Sequence, residues 1–118
     1  MEFEWNEDKR QSNIRDHGVD FVGVTQLFDG RPVFSYATPR NEEERWGTVG
    51  LIGEKFYLVV WTKRNERVRI ISAYRADDWE IREYGLFIVT EHFFALRARV
   101  HLAGANCAVL AVGGSPQY

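Results

Sequence analysis

Between Lys63 and Arg75 the chain sets Lys63, Arg64, Arg67, Arg69 and Arg75 against a single acid, Glu66, in a protein whose formal net charge is −2. A guanidinium stays charged at any physiological pH and donates two parallel hydrogen bonds to phosphate oxygens, so a run of this kind suits phosphate chemistry. The whole-chain charge argues against unspecific coating of nucleic acid, which calls for a basic protein, but a phosphate site needs only a basic patch. The same run also reads as a solvated strand edge whose charges keep other chains from pairing with it.

The inventory narrows the chemistry further. His17, His92 and His101 with the lone Cys107 do not make a zinc spacing, and no Gly-rich phosphate loop, nucleophile elbow or paired-carboxylate motif occurs. No metal and no cofactor is expected. One cysteine cannot form an internal disulfide, and the opening MEFEWNEDKR lacks a secretory pattern, so a cytoplasmic setting is expected. The apolar tail is interrupted by His101, Asn106, Gly113 and Gly114, which leaves no membrane span in view. With 45% hydrophobic and 14% aromatic residues, the 118-residue chain has the material for one packed core.

The elements that would position these residues follow in order. Asn6 is a natural N-cap and Gly18 a natural C′ residue, with Glu7 and Asp8 at the positive end of the dipole and Arg15 and His17 at the negative end. That predicts a helix over 7–17, preceded by an extended Phe3–Trp5 lead-in, with Lys9 and Asn13 four apart on an exposed face. Asp20 caps a second, short helix carrying Phe21, Val24, Leu27 and Phe28. Strands follow: a short run over 33–36, a polar loop ATPRNEEE, then 46–52, 55–64 and 67–75 joined by tight turns at Gly53-Glu54 and Asn65-Glu66 as an antiparallel meander of about four strands. Strict alternation in the last strand puts Arg67, Arg69, Ile71, Ala73 and Arg75 on one face. Asp77 with Glu80 has capping-box spacing and opens a short closing helix through Tyr84. The fold class is α+β, with the core domain over 1–84 and an apolar extension over 85–118 to which no structure is assigned.

FEWNEDKRQSNIRDHGVDF (3–21), EERW (43–46) and LVVWTKRNERVRIISAYRADDWEIREY (58–84) together resemble the BrnT family of toxins. The resemblance implies a RelE-like fold, an endoribonuclease of relaxed sequence preference that works without a metal and inhibits translation, and a BrnA-like antitoxin partner with a ribbon–helix–helix DNA-binding region, so that DNA is met only through the antitoxin. Two features depart from the family pattern. Tyr74 stands between Ala73 and Arg75, where the family runs Ser-Ala-Arg, and the chain continues well past the Glu and Tyr of the closing helix.

Metal-free RNA cleavage needs an oriented or deprotonated 2′-hydroxyl, an offset for the charge of the in-line phosphorane, and a proton for the leaving 5′-oxygen. Arg64, Arg69 and Arg75 suit the second task. His17, Glu80 and Tyr84 are the candidates for proton transfer, while Lys9, Lys63 and Arg67 suit RNA phosphates. Each has a structural alternative. Arg69 ties helix to sheet through Glu80 or Glu44, His17 complements a helix dipole, Glu80 caps its helix, and Tyr84 either stacks on a base or faces the core. The competing function is a catalytically inactive binding module that acts with its antitoxin as a transcriptional co-repressor.

Overall fold

The computed structural model describes residues 1–100, with side chains through Thr90. Its elements are β1 (Phe3–Glu4), α1 (Glu7–His17), α2 (Phe21–Val24) running into a 3-10 turn (Thr25–Phe28), β2 (Val33–Ala37), β3 (Trp46–Ile52), β4 (Lys55–Arg64), β5 (Arg67–Arg75) and α3 (Asp78–Val100). The fold is α+β. One sheet of five strands runs in the order β1-β5-β4-β3-β2, antiparallel except for β1, which lies parallel to β5. The lead-in is therefore a fifth strand, placed by the pairs Phe3↔Val68 and Glu4↔Arg69.

Local chemistry explains the boundaries. The Asn6 carboxamide accepts from the Lys9 N–H, and Gly18 closes α1 at φ 67°, a left-handed conformation that costs glycine nothing. Asp20 caps α2 through the Val22 N–H and also receives the Arg10 fork, Nε at 2.8 Å and Nη2 at 3.0 Å, which ties α1 to α2. That double contact holds the Asp20 carboxyl below the usual carboxylate range. At the β4–β5 turn, Asn65 and Glu66 both take positive φ, as a type I′ hairpin requires.

The two sheet faces are covered differently. On one, Val59, Val68, Ile70 and Ala73 pack with Val19, Phe21, Val24 and Leu27 into the core. Leu27 lies so close over β3 that a Cβ on Gly50 would come within 2.6 Å of its Cδ2. On the other, α3 lays Phe87 on Phe34, Trp79 on Tyr36 and Tyr84 on Phe56.

α3 is much longer than the closing helix expected to stop at Tyr84. Gly85 sits inside it, at a cost of about 1 kcal/mol relative to alanine. Aromatic contacts on both sides of that glycine, from Tyr84 and Phe87, hold the helix on the sheet. The division drawn at 84/85 thus falls within a continuous helix. The remainder of the proposed extension, with Cys107 and the Gly-rich end, lies outside the described residues. No helix among the described residues is long and apolar enough to cross a membrane.

β5 also departs from strict alternation. Val60 pairs with Ser72 and Trp61 with Ile70, which leaves Ile71 as a bulge. One extra residue reverses every side chain beyond it. Val68 and Ile70 before the bulge, and Ala73 after it, all enter the core. Arg67 and Arg69 before it therefore share their face with Ser72 and Tyr74, and Arg75 moves to the core side, over the Tyr57 ring at 5.8 Å. The three arginines do not share a face as the alternation predicted.

Candidate active site

Beyond the two residues paired by β1, the β5 edge needs another partner, because a buried strand edge cannot leave its N–H and C=O groups unsatisfied. Asn13 supplies it. Its carboxamide has both a donor and an acceptor: Nδ2 donates to the carbonyls of Ala73 (2.6 Å) and Val19 (2.8 Å), and Oδ1 accepts from the Ala73 N–H (3.2 Å). Asn13 is accordingly buried, at 6% exposure, and not part of an exposed face with Lys9. Since Lys9, Asn13 and His17 recur at four-residue spacing, fixing Asn13 to the sheet sets Lys9 one turn before it and His17 one turn after. The His17 ring packs on Tyr74 at 5.3 Å between centroids.

Lys9 faces two adjoining cavities on the part of the sheet that α3 leaves open. The smaller, about 130 Å³, takes Asn6, Glu43, Thr62 and Arg69 into its wall. The larger, about 380 Å³, is lined by Thr38, Pro39, Arg40, Val60, Ser72 and Tyr74. Lys9, Arg45 and Ile71 border both.

Arg40 and Arg45 arrive on the segment that the sequence presents as a polar loop. It is an ordered hairpin. Thr38 N–H donates to the Arg45 carbonyl (2.8 Å), Arg40 and Glu43 exchange backbone hydrogen bonds (3.1 and 2.9 Å), and Asn41 and Glu42 turn the chain at φ 51° and 63°. Arg45 Nε is held by Glu43 at 2.6 Å and Arg69 Nη1 by Glu4 at 2.8 Å. The tie between Arg69 and another element thus runs to β1, where Glu4 lies opposite it, and not to Glu80 or Glu44. Among the described residues neither the Lys9 ammonium nor the Arg40 guanidinium meets an acid, so the groove carries a surplus of positive charge.

Behind the groove lies a buried carboxylate. Glu80, 2% exposed, accepts from the Asp77 N–H through Oε1 (2.8 Å) and from the Tyr36 hydroxyl through Oε2. Gly47 makes room for this: a Cβ there would lie 2.7 Å from the Tyr36 ring. Burial first, then the hydrogen bond to Glu80, raises the Tyr36 phenol far above its ordinary value. Burial, with the charges of Glu80 and Asp77, raises Tyr74 as well. Both phenols are donors at neutral pH, not bases.

The structure therefore brings Lys9 and Arg69 to one groove, while His17 lines neither cavity and reaches the groove only through its packing on Tyr74. Arg64 and Arg67, paired across the β4–β5 hairpin, continue that face beyond Thr62, and Arg67 also meets Glu2 at 3.2 Å. Lys63 sits opposite the core residue Val68, on the other face, as does Arg75. Glu80 caps α3 and Tyr84 lies against Phe56. Arg40, Arg45 and Ser72 line the groove without having been singled out from the sequence, and Tyr74, noted there only as a departure from the family pattern, lines it too. The Asn41-Glu42 pair, of the same type as Asn65-Glu66, was the available sign that Arg40 and Arg45 face each other across a turn. Among the described residues no group of three or more His, Cys, Asp or Glu side chains gathers to hold a metal.

No curated protein matches the chain significantly. The family described as "Ribonuclease toxin, BrnT, of type II toxin-antitoxin system" matches residues 5–80. That span runs from the lead-in tryptophan to the buried Glu80 and includes every residue of the groove. The chain belongs to the BrnT family of ribonuclease toxins of type II toxin–antitoxin systems.

Proposed function

We propose that the groove is the active site of a metal-independent endoribonuclease. The observation that carries this reading is the placing of Lys9 and Arg45 on the ridge between two cavities, where a phosphate flanked by two nucleotides would lie against both cations. In the reaction the 2′-oxygen attacks phosphorus in line, the bond from phosphorus to the 5′-oxygen breaks, and the products are a 2′,3′-cyclic phosphate and a free 5′-hydroxyl. Lys9, Arg45 and Arg69 offset the charge that grows on the phosphorane. His17 takes the 2′-hydroxyl proton and, once protonated, returns one to the leaving oxygen. Tyr74, which stays protonated, orients the His17 ring.

Cutting messenger RNA in the cytoplasm would inhibit translation. A BrnA-like antitoxin with a ribbon–helix–helix region would neutralise the protein by covering this basic groove, where complementary charge raises the association rate and fixes register. DNA would then be contacted through the antitoxin alone. A second reading, an inactive co-repressor, draws on the tie between Arg69 and Glu4, which occupies one nitrogen of that fork.

The test is incubation of the purified toxin with an RNA oligonucleotide in excess EDTA. Internal cuts ending in 2′,3′-cyclic phosphate, abolished by a 2′-deoxy substitution at the cut nucleotide, are expected. Loss of cutting in chelator with recovery on Mg²⁺ would overturn metal independence, and the absence of any cutting by a folded protein would favour the co-repressor.

A further inference from the structure

On the endoribonuclease reading, from which this inference starts, the difference between the two cavities bears on substrate class. At about 380 Å³ the larger falls within the roughly 300–1,000 Å³ typical of small-molecule sites, whereas the smaller, about 130 Å³, has room for little beyond a phosphate group. Their linings differ in the same sense. Both cavities have an apolar floor, Val60 and Ile71 in the larger and Ile70 and Ile71 in the smaller, but Tyr74 gives the larger alone an aromatic wall. Thr38 and Ser72 add hydroxyls, and the cations Lys9, Arg40 and Arg45 lie where a phosphate joined to a bound nucleoside would reach. The smaller cavity has no aromatic wall.

Two backbone features build that lining. The Ile71 bulge turns Ser72 and Tyr74 onto this face, and the turn at Asn41-Glu42 folds Thr38 and Arg40 over it. His17, packed on Tyr74, fixes the ring in place. We propose that the larger cavity is a nucleoside pocket, which receives one base splayed out of single-stranded RNA and stacked on Tyr74, while the smaller cavity holds only a neighbouring phosphate. A paired and stacked A-form duplex does not offer such a base. The substrate class is thus single-stranded RNA, with base preference set on one side of the cut.

The experiment titrates the full-length protein with adenosine 3′-monophosphate, uridine 3′-monophosphate and inorganic phosphate, and compares cutting of one RNA strand alone and annealed to its complement. At least one nucleotide is expected to bind tenfold or more tightly than phosphate. Tyr74→Ala removes that advantage, since base–aromatic stacking lost to alanine costs roughly tenfold to a hundredfold in affinity, and Tyr74→Phe keeps it. Circular dichroism and thermal melting of both variants establish that they are folded. Phosphate affinity stays the same in all three proteins, and the annealed strand is cut at least tenfold more slowly than the free one.

Equal binding of nucleotides and phosphate by the wild type, or equal cutting of free and annealed RNA, overturns the nucleoside pocket and leaves the cleavage reading standing. A protein that cuts no RNA overturns the cleavage reading, and the nucleotide titration with Tyr74→Ala still decides the pocket.

Discussion

Two halves of the same sheet face have opposite characters. Beneath α3, Phe34, Tyr36 and Phe56 are covered by Phe87, Trp79 and Tyr84, and Glu80, the carboxylate buried there among the described residues, has both oxygens hydrogen-bonded. A buried charge left without such partners would cost several kcal/mol. The open half instead gathers Lys9, Arg40, Arg45 and Arg69, cations that keep contact with water and are held by no more than one carboxylate each. The contrast shows a division of labour: the covered half fixes β2 and β3, and those strands lead straight into the hairpin that carries Arg40 and Arg45.

The strongest way to break this comparison is to remove its central cation. Lys9→Ala is expected to slow RNA cleavage by about 10²–10³, as loss of a contact to developing charge typically does. Single-turnover rates on a folded variant check it, and a change of less than tenfold would remove Lys9 from the site. Close behind comes Asn13→Ala, which leaves the Ala73 N–H and C=O and the Val19 carbonyl without their partner. Buried unsatisfied groups cost about 1–3 kcal/mol each, so with three of them at least about 3 kcal/mol of stability should be lost in denaturant titrations. Cleavage should fall as well, because α1 would no longer be fixed to β5.

Much of the fold was legible in the residues. The α1 caps, the Asp20 cap, four strands and the turn at Asn65-Glu66 all follow from local chemistry, because Asn, Asp and Gly satisfy helix ends and tight turns by their own side chains or lack of one. What escaped was set by partners distant in sequence. β1 is a strand only because β5, far along the chain, passes beside it. Gly85 looks like a stop unless the ring of Phe34 is there to hold Phe87. The bulge at Ile71 has no Gly or Pro to announce it, and it decides which arginines meet. The groove was half legible for the same reason: Lys9 and Arg69 belong to elements with clear periodicity, as does His17 beside it on Tyr74, while Arg40 and Arg45 sit on a turn recognisable only by its type.

Smaller effects sharpen the comparison. Gly47→Ala pushes a methyl into the Tyr36 ring, which Glu80 holds in place, at an expected cost of about 1–3 kcal/mol. Gly50→Ala crowds Leu27 on the opposite face to a similar degree. Both should lower the melting temperature, but only Gly47→Ala should also slow cleavage per folded molecule, because Tyr36 leads into the hairpin. Equal effects on cleavage would mean that the two faces are not separable. Tyr36 gives a pH test of the same contact. Its folded pKa is raised above the ordinary 10.0, so its contribution to stability is intact below about pH 10 and is lost as pH climbs beyond that value. Tyr36→Phe should therefore flatten the alkaline fall in stability measured by urea unfolding.

The smallest expected effect is also the sharpest test of the bulge. Arg69 and Arg75 lie on one strand, and unbroken alternation would put both guanidiniums on the groove. With Ile71 bulged, Arg75 lies over Tyr57 on the core side, where an exposed cation–π contact contributes about 0.5–1 kcal/mol. Arg75→Ala should lower stability by no more than that and leave single-turnover cleavage within about twofold. Arg69→Ala, on the groove side and beside Lys9, should slow cleavage at least tenfold. If the two variants lost activity equally, β5 would have to be in continuous register in the active protein, and Tyr74 would leave the groove with Arg75 taking its place.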